Sequence, residues 1–257
     1  MRIVIKFAGA LLEDAGTVRE LSGHIAALAR DGHEILVVHG GGRLFTATLQ
    51  RMGIESKFVC GLRVTDAETL EAVVAVLAGA VNKQLVAELS QLGAPAIGLS
   101  GADSMILQAV RFDRELGFVG RIERVNPFPL EELLRLGYLP VVAPIAIEAG
   151  ANAAQLLNTN ADTAAGEIAA ALHAERLVFL TDVAGVLGKD GQLLSRLSAV
   201  EASALIASGV AGGGMIPKLE ACLVAAAEGC VTAIVSADRN ALRRLADGGQ
   251  AGTVVSA

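Results

Sequence analysis

Short apolar, β-branched runs alternate along this chain with longer segments whose hydrophobic residues recur at helical spacing. The runs predict strands over Arg2–Phe7, Glu34–His39, Pro95–Leu99, Tyr138–Ile147, Leu177–Thr181, Thr232–Ser236 and Thr253–Ser256. Between them, Val18–Arg30, Ala67–Leu92, Asp162–Leu172 and Ile216–Glu228 read as helices. Thr65-Asp66-Ala67-Glu68 and Ser198-Ala199-Val200-Glu201 both fit the capping box, in which two side chains satisfy backbone donors at a helix start. Repeated βα alternation argues a mostly parallel sheet covered on both faces. One segment breaks the rhythm: Met105–Val125 alternates apolar and polar residues around a Glu-Leu-Gly centre. It predicts β-hairpins standing off the main sheet as a lid or rim. There is no internal repeat or Pro/Ser-rich linker, so a two-lobe division is expected inside compact structure, near Leu172–Arg176.

Composition narrows the class. The 257 residues are 53% hydrophobic, with no Trp and one Tyr, which suits helices packed on a parallel sheet. A net charge of −6 leaves no basic footprint for nucleic acid. The three cysteines, Cys60, Cys222 and Cys230, include no C-x-x-C pair, and the four histidines, His24, His33, His39 and His173, have no metal-ligand spacing. Reduced thiols and no protein-held metal are expected. No cleavage site follows the apolar start, and prolines, a glutamate and a glycine interrupt the tract from Tyr138 to Leu157. A cytoplasmic protein is the expectation.

The candidate chemistry gathers at four glycine-bearing junctions: "KFAGA" (6–10), "HGGGR" (39–43), "DVAGVLG" (182–188) and "GVAGGGMIPK" (209–218). Backbone N–H groups at helix starts carry partial positive charge, and glycine lets an anion approach them. Neither G-x-x-x-x-G-K-[ST] nor G-x-G-x-x-G occurs. Lysine is scarce, five against sixteen arginines, yet Lys6 and Lys218 both sit in glycine junctions. Lys6 ends an apolar run, where a charge is costly unless it meets an anion. Pro217 suits a first helical position, which would place Lys218 at that helix's phosphate-binding end. Asn158 and Asn160 precede an Ala-rich helix with Asp162 in its first turn. Asp162 reads either as a dipole-favoured helix-start residue or as the anion that holds two lysines. Arg63, in "GLRVTD", offers a planar fork for a carboxylate.

"IKFAGALL", "VHGGG", "GLRVTD", "LGFVG", "GYLPVVAPI", "NTNADTAA", "TDVAGVL" and "GGMIPK" follow one another in the order and spacing of the amino acid kinase family. "GLRVTD" with "NTNAD" resembles its acetylglutamate kinase branch. The resemblance runs from Arg2 to the terminal "GTVV". It implies a three-layer α/β/α sandwich with a long, mainly parallel central sheet. An acetylglutamate-binding, dimerising lobe would span 1–173 and an ATP-binding lobe 174–257. It implies that Lys6 and Lys218 stabilise the transferring phosphoryl group and that Asp162 organises them. Gly41, Gly42, Arg63 and Asn158 match acetylglutamate contacts. Gly9, Asp182, Val183, Ala184, Gly185, Val186, Leu187, Val210, Ala211 and Gly212 match the nucleotide side. ATP with Mg²⁺ carried on its phosphate oxygens is the implied cofactor, and a homodimer the implied assembly. Arginine-sensitive members carry an additional N-terminal helix; here the first strand begins by Ile3, so insensitivity to arginine is expected. A γ-carboxylate is ionised at neutral pH and needs no general base, which fits the lack of a His or Cys constellation.

This chain departs from the family pattern at Ala8, where a first glycine is usual, at Arg43 in place of proline, and at Gly212 in place of threonine. Two rival readings remain from sequence: a kinase for a carrier-linked aminoadipate, and a non-catalytic sensor on the same fold.

Overall fold

The computed structural model describes residues 1–54, 57–59, 62–237 and 240–256, so Cys60 and the first residue of "GLRVTD", Gly61, lie outside the described residues. The first third runs β1 (Arg2–Phe7), α1 (Ala15–Arg30), β2 (Glu34–His39), α2 (Gly42–Arg51), β3 (Phe58–Val59) and β4 (Leu62–Arg63). A long helical rod follows: α3 (Ala67–Val74), a π-helical segment (Ala75–Val81) and α4 (Asn82–Gln91). Then come β5 (Ala96–Ser100), β6 (Leu107–Arg111), β7 (Val119–Val125), α5 (Phe128–Arg135), β8 (Leu139–Ala143), β9 (Ile145–Glu148) and β10 (Leu156–Thr159). The last third is α6 (Ala161–Ala171), β11 (Arg176–Thr181), β12 (Arg196–Ser198), α7 (Ala199–Ala207), α8 (Met215–Ala227), β13 (Val231–Ser236), α9 (Ala241–Ala246) and β14 (Thr253–Ser256).

The main sheet has eight strands in the order β12-β14-β13-β11-β1-β2-β8-β5, parallel throughout except β13 against β14. Side chains alternate faces along each strand. Ile3, Ile5 and Phe7 of β1 join one buried cluster with residues of α1, α2, the rod and α9. Val4 joins a second cluster with residues of α5, α6, α7 and α8. Three layers result, as expected, and the sheet continues unbroken across 173–174.

β1 leads through α1 to β2 on one side, whereas β11, its other neighbour, leads through α7 and α8 to β13 on the opposite side. The chain therefore reverses direction between β1 and β11, and such switch points leave a crevice beyond the strands' carboxyl ends. Lys6 lies there.

The Met105–Val125 segment does stand off the main sheet: β6 and β7 form an antiparallel hairpin within a small closed barrel, β10-β7-β6-β9. The predicted strand Tyr138–Ile147 is two strands. Pro144 has no N–H to give to a ladder, so β8 ends and β9 enters the barrel. β10 and β12 escaped prediction because four and three residues are too short to show a period. Ser198 and Glu201 make the expected capping box. At the other site Asp66, not Thr65, caps the helix by accepting from Thr69 N, while Thr65 is fully buried. Pro217 is the third residue of α8 rather than the first, a position whose N–H is also without an intrahelical partner. Cys222 and Cys230 are free and buried, and burial pushes both thiols up to about 12.

Candidate active site

Lys6 shares the Val4 face of β1 and so points toward α6 and α8. Asn160 caps α6, its side chain accepting from the N–H groups of Asp162 and Thr163, which sets Asp162 in the first turn. Lys218 lies in the first turn of α8. The two helices cross closely, because a Cβ on Gly166 would sit 2.8 Å from Ala221. One turn before that crossing, Asp162 and Lys218 meet. The Lys6 ammonium is 2.7 Å from Asp162 Oδ1, and Lys218 donates to Asp162 Oδ2 at 3.0 Å and to the Gly214 carbonyl at 3.1 Å. The Lys6 approach is an ion pair without an aligned hydrogen bond, so Oδ1 keeps unused lone-pair capacity.

Side-chain exposures of 7% for Lys6, 9% for Asp162 and 14% for Lys218 make this a buried charge cluster. Burial alone would raise the Asp162 carboxyl; Lys6 and then Lys218 outweigh it and hold the group below its ordinary value. Burial pushes Lys6 down against the pull of Asp162, with Lys218 adding to the fall. Two ammonium groups and one carboxylate leave a net positive site at the mouth of the switch-point crevice. Such a site can receive an anion and neutralise charge that grows on it.

The other glycine turns close around it. Gly9 and Gly42 (φ +54°) pack backbone to backbone: a Cβ on Gly9 would lie 2.1 Å from Gly42 N. Any side chain at either place would pry the two turns apart. Ala8 is extended at φ −68°, so the first-glycine departure carries no strain. Gly41 caps α2, whose first N–H groups have no intrahelical partner.

A second wall forms from Arg63, Thr65 and Asn158. Arg63 is half-buried, donates to Thr46 Oγ1 at 2.8 Å and stacks 4.7 Å over the Phe45 ring. Burial lowers its guanidinium, which stays charged. Asn158 Nδ2 donates to Thr65 Oγ1 at 3.2 Å, and Thr65 Oγ1 donates to the Arg63 carbonyl at 3.0 Å. Thr65 N donates to Leu116 O and Phe118 N to Thr65 O, which latches the barrel hairpin to this wall. Sequence reasoning took Thr65 for a cap and missed Thr46 and Phe45 altogether, because their contacts join segments distant in the chain.

The residues expected on the nucleotide side divide. Asp182, Val183, Ala184 and Leu187 are exposed, and Asp182 Oδ1 accepts from Thr181 Oγ1 at 3.0 Å. Gly185 and Val186 are buried; Val186 N donates to Thr253 Oγ1 and its carbonyl accepts from Leu194 N, so this residue anchors the turn. Ala211 is likewise a core residue with its N–H given to Leu205 O, whereas Val210 is half-buried and Gly212 exposed.

A cavity of about 760 Å³ opens between the β6–β7 hairpin and the first turns of α6 and α8. Asp162 lines it, with Phe112, Leu116 and Ile122 on the hairpin side and Ile216 and Pro217 on the other. A smaller hollow of about 250 Å³ near His33 and Tyr138 is at the far ends of the strands, away from both lysines. Among the described residues no cluster of three His, Cys, Asp or Glu side chains could hold a metal. Both Asp162 oxygens face ammonium groups, so the residues here fit a nucleotide phosphate chain that brings its own cation better than a protein-held ion.

Known proteins share this chain's sequence pattern and fold. The family model described as "Amino acid kinase family" matches residues 1–236. The acetylglutamate kinase of Solibacter usitatus is 46% identical over 255 residues, covering 98% of each chain. That of Parvibaculum lavamentivorans is 43% identical over 249 residues, 92% of this chain and 81% of its own. Among solved structures, N-acetylglutamate synthase of Neisseria gonorrhoeae, complexed with coenzyme A and N-acetyl-glutamate, superposes with a TM-score of 0.84 at 26% identity. It matches all of this chain and 59% of its own.

Proposed function

We propose that this chain, which belongs to the amino acid kinase family, is an acetylglutamate kinase. It transfers the γ-phosphoryl group of ATP to the γ-carboxylate of N-acetyl-L-glutamate, giving N-acetyl-L-glutamyl 5-phosphate, an early step of arginine biosynthesis. The observation that carries the reading is the Lys6–Asp162–Lys218 cluster at the β1/β11 switch point.

The acceptor carboxylate is already a nucleophile at neutral pH, so the site needs no base. Arg63 binds the α-carboxylate through its fork, held in plane by Thr46 and the Phe45 ring, and Asn158, aligned by Thr65, completes that contact. Lys6 and Lys218 neutralise charge on the phosphoryl oxygens as it passes between donor and acceptor, while Asp162 keeps both ammonium groups in place. The N–H groups of Gly9, Gly41 and Gly42 face the same transfer. ATP supplies the phosphoryl group with Mg²⁺ on its phosphate oxygens, and the exposed Asp182–Ala184 stretch, Leu187, Val210 and Gly212 form the nucleotide rim. Residues 1–173 make the acceptor lobe and 174–257 the ATP lobe on one sheet.

The exposed side of the rod bears Ala75, Ala80 and Ala87, small apolar surface suited to a two-fold pairing of rods in a cytoplasmic homodimer. Light scattering reads that assembly. The activity is tested by ADP release with N-acetylglutamate, with a carrier-linked aminoadipate, and with ATP alone. Turnover dependent on N-acetylglutamate is expected; turnover with the carrier substrate instead would reassign the acceptor, and none with either would leave a sensor.

A further inference from the structure

His39 ends β2 immediately before the three glycines and is wholly buried. Its Nδ1 lies 3.1 Å from Gly40 O and its Nε2 3.2 Å from Asn82 Nδ2. A carbonyl only accepts, so Nδ1 carries the proton and Nε2 accepts from the amide. The amide orientation is independently determined. Asn82 Nδ2 also lies 2.9 Å from Val141 O and 3.2 Å from Leu99 O, so its two hydrogens are shared among three acceptors, and Lys83 Nζ donates to Asn82 Oδ1 at 3.1 Å. One amide thus ties together the carboxyl ends of β2, β5 and β8.

Asn82 is the first residue after the π-helical segment of the rod. Such insertions re-aim side chains and recur at functional sites. The same segment touches the glycine turn a second time, since Leu77 packs so close to Gly41 that a Cβ there would lie 2.5 Å from Leu77 Cδ2.

We infer that His39 and Asn82 are positioning residues for phosphoryl transfer: the amide locks the imidazole, and the imidazole locks the peptide joining Gly40 to Gly41. In a planar trans peptide the C=O and N–H point in opposite directions. Holding Gly40 O against Nδ1–H therefore aims the Gly41 N–H away from the imidazole. Gly40 N, bonded to Phe7 O, secures the other side of the residue. A donor pre-aimed this way needs no reorganisation as charge develops. Burial supports the assignment by pushing the imidazole down to about 4, with nearby Lys6 and Lys83 acting in the same sense, so it is neutral in the working pH range. The inference rests on the reading that the glycine turn faces the transferring phosphoryl group, and Lys218→Ala tests that reading separately through its own loss of turnover.

Three variants and one spectrum test the inference. His39→Phe fills the space without donating, and kcat should fall ~10–100-fold with both KM values within ~3-fold, the signature of a misaimed group. His39→Asn places an amide N–H near the former Nδ1 and should recover most of that turnover. Asn82→Leu leaves the imidazole but frees it, and kcat should fall on the order of 10-fold. Unchanged kcat in folded His39→Phe or Asn82→Leu overturns the proposal, as does an equal loss in His39→Asn and His39→Phe, which would mark a packing effect. Nitrogen-15 NMR of the intact wild-type protein decides even if the variants do not fold: the Nδ1–H tautomer supports the proposal and Nε2–H overturns it.

Discussion

Lys6 and His39 occupy neighbouring strand ends, yet the protein solves the burial of each differently. Lys6 points to the α6/α8 face and keeps its charge by pairing with a carboxylate, itself shared with Lys218. His39, opposite Phe7 in the β1–β2 register, shares with it the face covered by α1 and α4 and is held neutral by burial, with hydrogen bonds fixing its ring. The difference teaches that, among the described residues, charge on these two buried strand ends survives only where an opposite charge meets it. On the other face the same burial produces rigidity. Removing a partner on the first side should therefore damage turnover, and protonating the second should damage stability.

The largest effect is expected from breaking the charged side. Lys218→Ala should lower kcat ~100–1000-fold, about 3–4 kcal/mol, with little change in the acetylglutamate KM, measured by coupled ADP release. Near-normal turnover would remove Lys218 from its role.

The neutral side is probed by acid. The folded imidazole pKa of about 4 lies below the unfolded value of 6.5, so the unfolded chain binds more protons between them. Stability should be complete above the upper value and decline as pH falls through this interval, by up to about 3 kcal/mol. Asp162, held below its ordinary value, keeps its charge throughout that window, so the cluster on the other face is untouched. Urea unfolding at several pH values should show the slope, and His39→Asn should flatten it.

A smaller effect tests the acceptor wall. Arg63→Lys keeps the charge but loses the fork and the stacking on Phe45, and should weaken acetylglutamate ~10-fold while ATP binding is nearly unchanged. Equal losses for both ligands in titration calorimetry would indicate a damaged fold instead. The smallest is expected at the nucleotide rim. Leu187 is 52% exposed, so Leu187→Ala should raise the ATP KM only ~2–3-fold and leave the melting temperature within about 1 °C.

Most of the frame was legible in the chain. β1, β2 and β14 match their apolar runs residue for residue, because buried parallel and core strands read as continuous hydrophobic stretches. Scarce lysines beside glycines led to Lys6 and Lys218, and Asp162 was legible as a first-turn residue of its helix. What pattern could not reveal was contact between distant segments. That Gly9 and Gly42 interlock, that Gly166 lets α6 meet α8, and that Thr65 braces Asn158 instead of capping a helix all depend on packing.

By itself, then, the sequence determined the alternation of strands and helices, the parallel sheet and the chemical inventory of the site, since each follows from local periodicity and residue type. Only the tertiary structure decided which charges pair, which of the nucleotide-side residues turn inward, and that a histidine and an asparagine forty-three positions apart share a hydrogen bond. The physical reason is that burial and partner, not residue identity, set whether a polar side chain is charged, neutral or merely structural.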